Sequence, residues 1–276
     1  MPQQLIIIDF LLKIFLISQE ILMLRVSCLS LLFFLIFLSC KNYVFVREYT
    51  PKSTEFKSKP KIALVGFFPY RYSSTTSGRR TTTTAYLDYT HSTSSVMSVG
   101  TPIDLIPSSG LDLNVSNDRT KEIAMNYLEK VKISGLQEIS KMIEINKIDD
   151  KTTFALKKRD VDYYLIAIHG PVFDESMGNL GRTLLTAHVC ILTFGTIPCW
   201  RSIPTETKFL LYDNKLNLVD QKSYSDRYEH LGAWWGQEEQ GSFNMQTSEI
   251  PNPLKIKVYK PHILEYEDHL KELLNK

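Results

Sequence analysis

The chain has 276 residues, with 32 Lys and Arg against 30 Asp and Glu, so its formal net charge at pH 7 is only +2. A balance this close to neutral gives no argument for a nucleic-acid or other polyanionic partner, and we expect no nucleic-acid partner. Hydrophobic residues make up 43% of the sequence, including 14 Tyr and 14 Phe. This composition excludes a disordered stalk and indicates a folded core.

Residues 23–40 have the composition of a secretory signal. Arg25 supplies a positive charge, Val26 to Leu38 form an apolar centre, and Ser39 is the small residue before Cys40. A basic start, an apolar centre and a small residue at the cleavage site are the parts that an exported protein requires. The sequence therefore predicts that residues 1–39 are removed.

The end of this segment, Phe37-Leu38-Ser39-Cys40, resembles the lipidation site of bacterial lipoproteins. Ser39 and Cys40 match that pattern, whereas Phe37 stands where Leu is usual and Leu38 is bulkier than normal. Such relaxed sites are most similar to those of spirochaete lipoproteins. The resemblance implies a fatty acid such as palmitate on Cys40, which is the expected membrane contact, and a place in a bacterial cell envelope, at the outer membrane.

Residues 1–22 are not needed for such a signal, because they contain a second apolar run, Leu5 to Ile17, interrupted by Asp9 and Lys13. We expect Met23 to be the true start. The alternative keeps Met1 and makes Leu5 to Leu38 a membrane anchor, in which each charged residue near the bilayer centre costs ~2.5–3.5 kcal/mol.

The lipidated Cys40 is expected to begin a tether at residues 40–60, extended and loosely ordered because it is polar and contains prolines. Residues 61–276 would then form one globular domain. The apolar run Lys61 to Tyr70 predicts a buried central strand, and Gly66 within it indicates a close backbone approach or a bend.

A Ser/Thr-rich insertion is predicted at residues 71–117, since more than half of residues 73–101 are Ser or Thr. We favour a long flexible insertion over an exposed recognition loop. Alternation around Tyr86 to His91 also allows a hairpin.

A long helix is predicted from Asp118, as N-cap, to Ile145, with a kink or break at Gly135. A short second helix is expected at Thr152 to Lys158. The remaining elements are expected to be strands at Val161 to Ile168, Lys208 to Tyr212, Leu216 to Tyr228 and Leu254 to Tyr259, with a C-terminal helix at Ile263 to Leu274. Asp213-Asn214 marks a hairpin between the second and third of these strands.

These elements predict an α/β or α+β fold in which helices pack on a mixed sheet. The strand KIALVGFFPY, the capped helix and the passage ALKKRDVDYYLIAIHG, in which Asp162-Tyr163 precedes an apolar strand, are together similar to envelope lipoproteins of the CsgG and TolB-N-terminal type. That resemblance implies a fold class and no activity.

The apolar stretch Leu184 to Pro198 is shorter than the ~20 residues that span a bilayer as a helix. We expect a core element, with membrane insertion as the alternative. Cys190 and Cys199 flank a turn within or beside this stretch, and either a disulfide or two buried free thiols fit their positions.

The sequence contains no recognised catalytic motif, and its six histidines show no metal-ligand spacing. We therefore expect no enzyme activity, no metal and no cofactor, and interpret His169 and His188 as hydrogen-bonded structural residues. The pair Trp234-Trp235 lies between two glycines and would anchor a partner or touch lipid headgroups. The alternative is that it caps the edge of the core.

The first functional hypothesis is a lipid-anchored envelope protein that binds an envelope protein or another macromolecule without catalysis. The alternative is an assembly component, similar to CsgG-type secretion lipoproteins, that oligomerises and inserts Leu184 to Pro198 into the membrane. An envelope hydrolase is disfavoured by the missing motifs.

Overall fold

The computed structural model describes residues 41–78, 80–148, 151–170, 177–193, 196–233 and 252–275. The chain divides into two compact units. Of the described residues, the smaller unit contains 41–43, 181–193, 196–200 and 231–233, and the larger unit contains the others.

The described residues have an α+β fold built on a mixed sheet, as the sequence predicts. In order across the sheet, its six strands are β1 (Lys41–Phe45), β10 (Leu218–Ala233), β9 (Cys199–Asp213), β8 (Tyr163–His169), β2 (Ile62–Gly66) and β5 (Thr101–Pro102). Strand β8 runs parallel to β2 and antiparallel to β9, and β2 also runs parallel to β5.

Two further pairs of antiparallel strands, four α-helices and three short 3₁₀ helices complete the described elements. The pairs are β3 (Tyr70–Ser77) with β4 (Arg80–Leu87), and β6 (Ile143–Ile148) with β7 (Lys151–Leu156). The helices are α1 (Asn117–Val131), α2 (Leu136–Met142), α3 (Met177–Leu192) and α4 (Asn252–Leu274).

The two parallel strands β2 and β8 form the centre of the core, and every residue of β2 is buried. Gly66 ends β2 at a left-handed φ of 80°, where an added Cβ would lie 2.2 Å from the carbonyl oxygen of Ala167. The next residue, Phe67, donates its N–H to that same oxygen at 3.1 Å. The predicted central strand and the predicted close approach at Gly66 are confirmed.

Helices lie on both faces of the sheet in the larger unit, because successive side chains of a strand point to opposite faces. On one face, α4 stacks the ring of Tyr266 on Phe209 at 4.3 Å and that of Tyr259 on His169 at 4.0 Å. On the other face, α1 and alternate residues of β9, including Leu210, line a cavity of about 430 Å³.

The long helix predicted from Asp118 to Ile145 is instead two helices and a strand. Its N-cap is Ser116, whose hydroxyl accepts from the N–H of Arg119 at 3.3 Å. A 3₁₀ turn at Lys132–Gly135 separates α1 from α2, so the break predicted at Gly135 is confirmed. A Cβ there would meet Val131 at 2.0 Å, which shows why glycine is needed.

Two other predicted elements are wrong. The helix expected at Thr152 to Lys158 is strand β7, in which Phe154 and Leu156 are buried at a spacing of two. The strand expected at Leu254 to Tyr259 belongs to α4, because its buried residues continue at helical spacing into the last helix.

The segment at residues 41–60 is extended, but the structure corrects its predicted loose order. Residues 41–45 form β1, an edge strand of the sheet. The following residues are bonded to α4 and the residue after it, through Arg47–Glu265, Tyr49–Asp268, Lys52–Asp268, Lys52–Glu272 and Lys57–Asn275. The acidic partners lie at the other end of the sequence, which is why local composition indicated a free tether.

Candidate interaction surfaces

The part of helix α3 that lies in the smaller unit is held against the start of β9 by a covalent bond and a hydrogen bond. Cys190, in its last turn, forms a disulfide with Cys199, with a Cα–Cα distance of 5.1 Å. One turn earlier, the hydroxyl of Thr186 donates to the carbonyl oxygen of Trp200 at 3.0 Å. Of the two alternatives for the cysteines, the structure contains the bridge.

The described residues of the turn after α3 form hydrogen bonds with one another and with the helix. Thr193 donates its N–H to the carbonyl oxygen of Val189 at 3.0 Å, and its carbonyl oxygen accepts from Thr196 at 3.0 Å. The Thr193 hydroxyl accepts the N–H of Ile197 at 3.2 Å. The turn therefore does not depend on water for these hydrogen bonds.

Large apolar side chains on this helix and turn face outward. Leu185, Ile191 and Leu192 are 68%, 70% and 78% exposed. Ile197 and Trp200 are also exposed, and these five residues are called the apolar face below. Among the α3 side chains that the structure describes, only that of Cys190 is buried. The prediction of a core element at Leu184 to Pro198 is therefore wrong.

The apolar face lies in a segment without formal charge. Residues 183–200 contain no Asp, Glu, Lys or Arg, and Arg182 and Arg201 flank them. His188 is exposed on the same side of α3 as Leu185 and Leu192, since the three are spaced by three and four residues. In the described parts of the chain, no helix combines the length and the hydropathy that crossing a membrane requires.

The smaller unit also contains Lys41 and Ala233, the described residues next to the contacts predicted at Cys40 and at Trp234-Trp235. Lys41 begins β1 directly after Cys40, and Ala233 ends β10 directly before Trp234-Trp235. Cys40 and the tryptophan pair themselves lie outside the described residues. The fold thus brings together three stretches that are far apart in sequence, and no local pattern could have revealed this.

The Ser/Thr-rich segment starts as a β-hairpin and not as the flexible insertion that we favoured for residues 71–117. Strands β3 and β4 pair over their whole length, with Thr75 opposite Thr82 and Ser77 opposite Arg80. β-Branched threonines favour this pairing, and Gly78 supplies the left-handed turn at a φ of 61°. Arg71, Thr75, Ser77, Arg80, Thr82 and Thr84 are exposed on one side of the hairpin, called the hydroxyl face below.

A cleft of about 910 Å³ opens at the base of this hairpin, between β4, α2 and β6. Arg71 lies with its guanidinium 4.7 Å from the centre of the Tyr86 ring, and both line the cleft. Leu136, Ile145 and Lys157 line the opposite side. The cleft lining thus combines two cations, the carboxylate of Glu144, and aromatic and aliphatic groups, which suits an amphipathic ligand.

A cluster of buried polar side chains lies between the sheet and α4. The Thr207 hydroxyl is 3.0 Å from Nδ1 of both His169 and His262, and the Thr93 hydroxyl is 2.7 Å from Nε2 of His169. Burial lowers the pKa of His169 to about 3 and also lowers the pKa of His262. All four residues are at most 1% exposed, so this is a neutral structural cluster, as expected for His169.

Other titratable groups of the described residues do not assemble into a recognisable reaction centre. Asp88 is buried and accepts from Nδ1 of His91 at 3.0 Å, and it also accepts from the hydroxyl of Thr90. Glu138 accepts the N–H of Gly66 at 3.1 Å, and desolvation raises its pKa. In the part of the chain that the structure describes, no group of three His, Cys, Asp or Glu side chains is placed to hold a metal.

Comparison of the chain with models of protein families, with curated proteins and with solved structures found no match.

Proposed function

We propose that this chain is a lipid-anchored protein of a bacterial cell envelope, held at the outer membrane through Cys40, whose folded part binds another macromolecule without catalysing a reaction. The observation that carries the proposal is the lipoprotein-like signal that ends at Cys40. The described structure adds that the next residue, Lys41, lies in strand β1.

The binding role is supported by surfaces and not by reactive groups. The hydroxyl face carries Thr and Ser hydroxyls with Arg71 and Arg80 near its two ends, which suits a polar partner with acidic groups. Arg71 also lines the adjoining cleft, so the two surfaces are continuous. Trp234-Trp235 remain a predicted contact of the same protein.

The anchor is tested by metabolic labelling with a fatty acid and by the intact mass of the purified protein. We expect label that depends on Cys40 and a mass that starts at this residue. Cys40→Ala should lose the label, whereas the matched variant Cys28→Ala, within the signal, should keep it. An unlabelled wild-type protein that retains residues 1–39 would overturn the anchor.

The absence of catalysis is tested with the purified protein and broad ester, peptide and glycan substrates. We expect no turnover above that of the buffer. Turnover that is lost on replacing His91 by Ala would contradict the binding role and would give the Asp88–His91 pair a chemical function.

A second candidate is an assembly component of an envelope or secretion complex, as in the resemblance to CsgG-type lipoproteins. The exposed apolar face favours it, because surfaces of this kind often contact other subunits. Light scattering in detergent separates the candidates: a monomer supports the binding module, and a ring-sized oligomer supports the assembly component.

A further inference from the structure

We propose that the apolar face (Leu185, Ile191, Leu192, Ile197 and Trp200) lies in the membrane interface and forms a second membrane contact beside the lipid. This inference rests on the proposed anchor at Cys40. It assigns a bilayer, and not a second copy of the chain, as the occupant of this surface.

The first argument is the position of the anchor. With a lipid on Cys40, the next residue, Lys41, already belongs to the smaller unit and to β1. One residue spans at most ~3.3–3.6 Å, so no spacer can lift this unit away from the headgroups. Residues 47–57 cannot supply one either, since they are bonded to α4.

The second argument is that the apolar face lies in this same unit. The anchor therefore fixes the smaller unit, with its exposed Leu185, Ile191 and Leu192, at a surface that takes up apolar side chains. In a protein without an anchor, large apolar side chains exposed in this way on one helix would require a protein partner to cover them. Here the proposed lipid already places them at a bilayer.

The third argument is the chemistry of the segment. Residues 183–200 have no formal charge, and Arg182 and Arg201 flank them in the sequence, as basic residues commonly flank segments at a membrane surface. Trp200 at its end is of the type enriched at membrane interfaces. The sixteen residues of α3 extend for about 24 Å, less than the ~30 Å of a hydrocarbon core. The geometry points to a helix that lies in the interface.

The fourth argument is that the backbone is prepared for an apolar medium. An unsatisfied N–H or C=O is costly in lipid, and the described N–H groups of Thr193, Thr196 and Ile197 are all bonded, to Val189 or to Thr193. The Cys190–Cys199 disulfide fixes this arrangement before any contact with the membrane.

The experiment uses the full chain, expressed and processed in cells, and reconstituted into vesicles of phosphatidylethanolamine and phosphatidylglycerol that contain a phospholipid with a diazirine in its acyl chain. After irradiation, reduction and digestion, trypsin cleaves after Arg182 and Arg201 and releases residues 183–201 as one peptide. We expect this peptide to carry the cross-linked lipid. The double variant Ile191→Glu/Leu192→Glu should reduce its label tenfold or more, because burial of each large aliphatic side chain shifts an equilibrium by about tenfold or more.

Leu113→Glu is the matched control, since Leu113 is 91% exposed in the larger unit and should leave the label unchanged. Thermal melting checks that both variants fold, and the wild-type label pattern tests the inference even if a variant does not. An unlabelled 183–201 peptide in protein that is acylated at Cys40 would overturn the inference and leave the anchor standing. If the protein is then a dimer in detergent, a second copy covers the apolar face. Label on the peptide in protein that lacks the acyl group would support the contact and overturn the anchor.

Discussion

Replacing Gly66 by Ala places one methyl group where two central strands of the core meet. The new Cβ would lie 2.2 Å from the carbonyl oxygen of Ala167, a backbone atom that cannot rotate away. The residue also has a φ of 80°, which L side chains rarely adopt. Both effects destabilise the folded protein, and neither changes a surface that the proposed functions use.

The cost can be worked from the geometry. A Cβ in a real protein is essentially never closer than 3.0 Å, so strands β2 and β8 must separate by about 0.8 Å at this point. That movement lengthens the hydrogen bond from Phe67 to Ala167, now 3.1 Å, beyond useful range, and a lost buried hydrogen bond costs ~1–3 kcal/mol. The left-handed conformation adds roughly 1–2 kcal/mol. We expect the free energy of unfolding to fall by about 2–5 kcal/mol, the sum of the two terms.

Urea unfolding followed by circular dichroism measures this loss, with the disulfide intact. Gly110→Ala is the control, because Gly110 has a φ of 107° but an added Cβ would meet nothing within 4 Å. This control carries the conformational cost without the clash and should lose roughly 1–2 kcal/mol. Equal losses for the two variants would refute the argument that the strands are locked together at Gly66.

Three further predictions concern acid, the disulfide and the hairpin. His169 is neutral in the folded protein, with a pKa of about 3 against 6.5 when unfolded, so the unfolded chain binds an extra proton in this window. The free energy of unfolding should therefore fall by up to about 1.4 kcal/mol per pH unit as the pH drops from 6.5 towards 3. His169→Gln should flatten that dependence in urea titrations, and an unchanged slope contradicts the assignment. Removing the disulfide with Cys190→Ser/Cys199→Ser should destabilise the smaller unit by about 2.5 kcal/mol, estimated from loop closure; limited proteolysis should then cut near α3 first, and wild-type resistance would argue against the role of the bridge. Replacing residues 73–84 by a two-residue turn should shift Tm by less than about 2 °C, because β3 and β4 pair only with each other among the described strands. A drop of 8 °C or more would show that the hairpin supports the core.

Local sequence was sufficient for the elements whose partners are local or whose apolar content dictates burial. The run Ile62 to Gly66 is a buried strand because its side chains leave no polar face, and Asp213 marks the turn between β9 and β10. Local sequence failed where tertiary contacts overrode propensity. The apolar residues of Leu254 to Tyr259 alternate as in a strand, yet Val258 and Tyr259 are buried by the packing of a helix.

The candidate surfaces were only partly predictable. The apolar character of Leu184 to Pro198 was evident, but its outward orientation was not, because hydropathy does not distinguish a core from a surface that meets lipid. A hairpin was weighed as an alternative from the alternation around Tyr86 to His91, whereas the observed hairpin pairs Tyr70–Ser77 with Arg80–Leu87. The cleft involves α2 and β6, whose approach to the hairpin is a non-local contact that no motif encodes.

The bonds between residues 47–57 and the C-terminal helix also set the order in which the chain can be completed. They join groups separated by 216 to 220 positions, such as Lys52 with Asp268 and with Glu272. A ribosome makes the earlier partner first, so this segment waits unpaired until almost the whole chain has been synthesised. The contacts between residues 47–57 and α4 therefore form late in the synthesis of the chain. A product that stops short of α4 would leave the residues beside the proposed anchor without these partners.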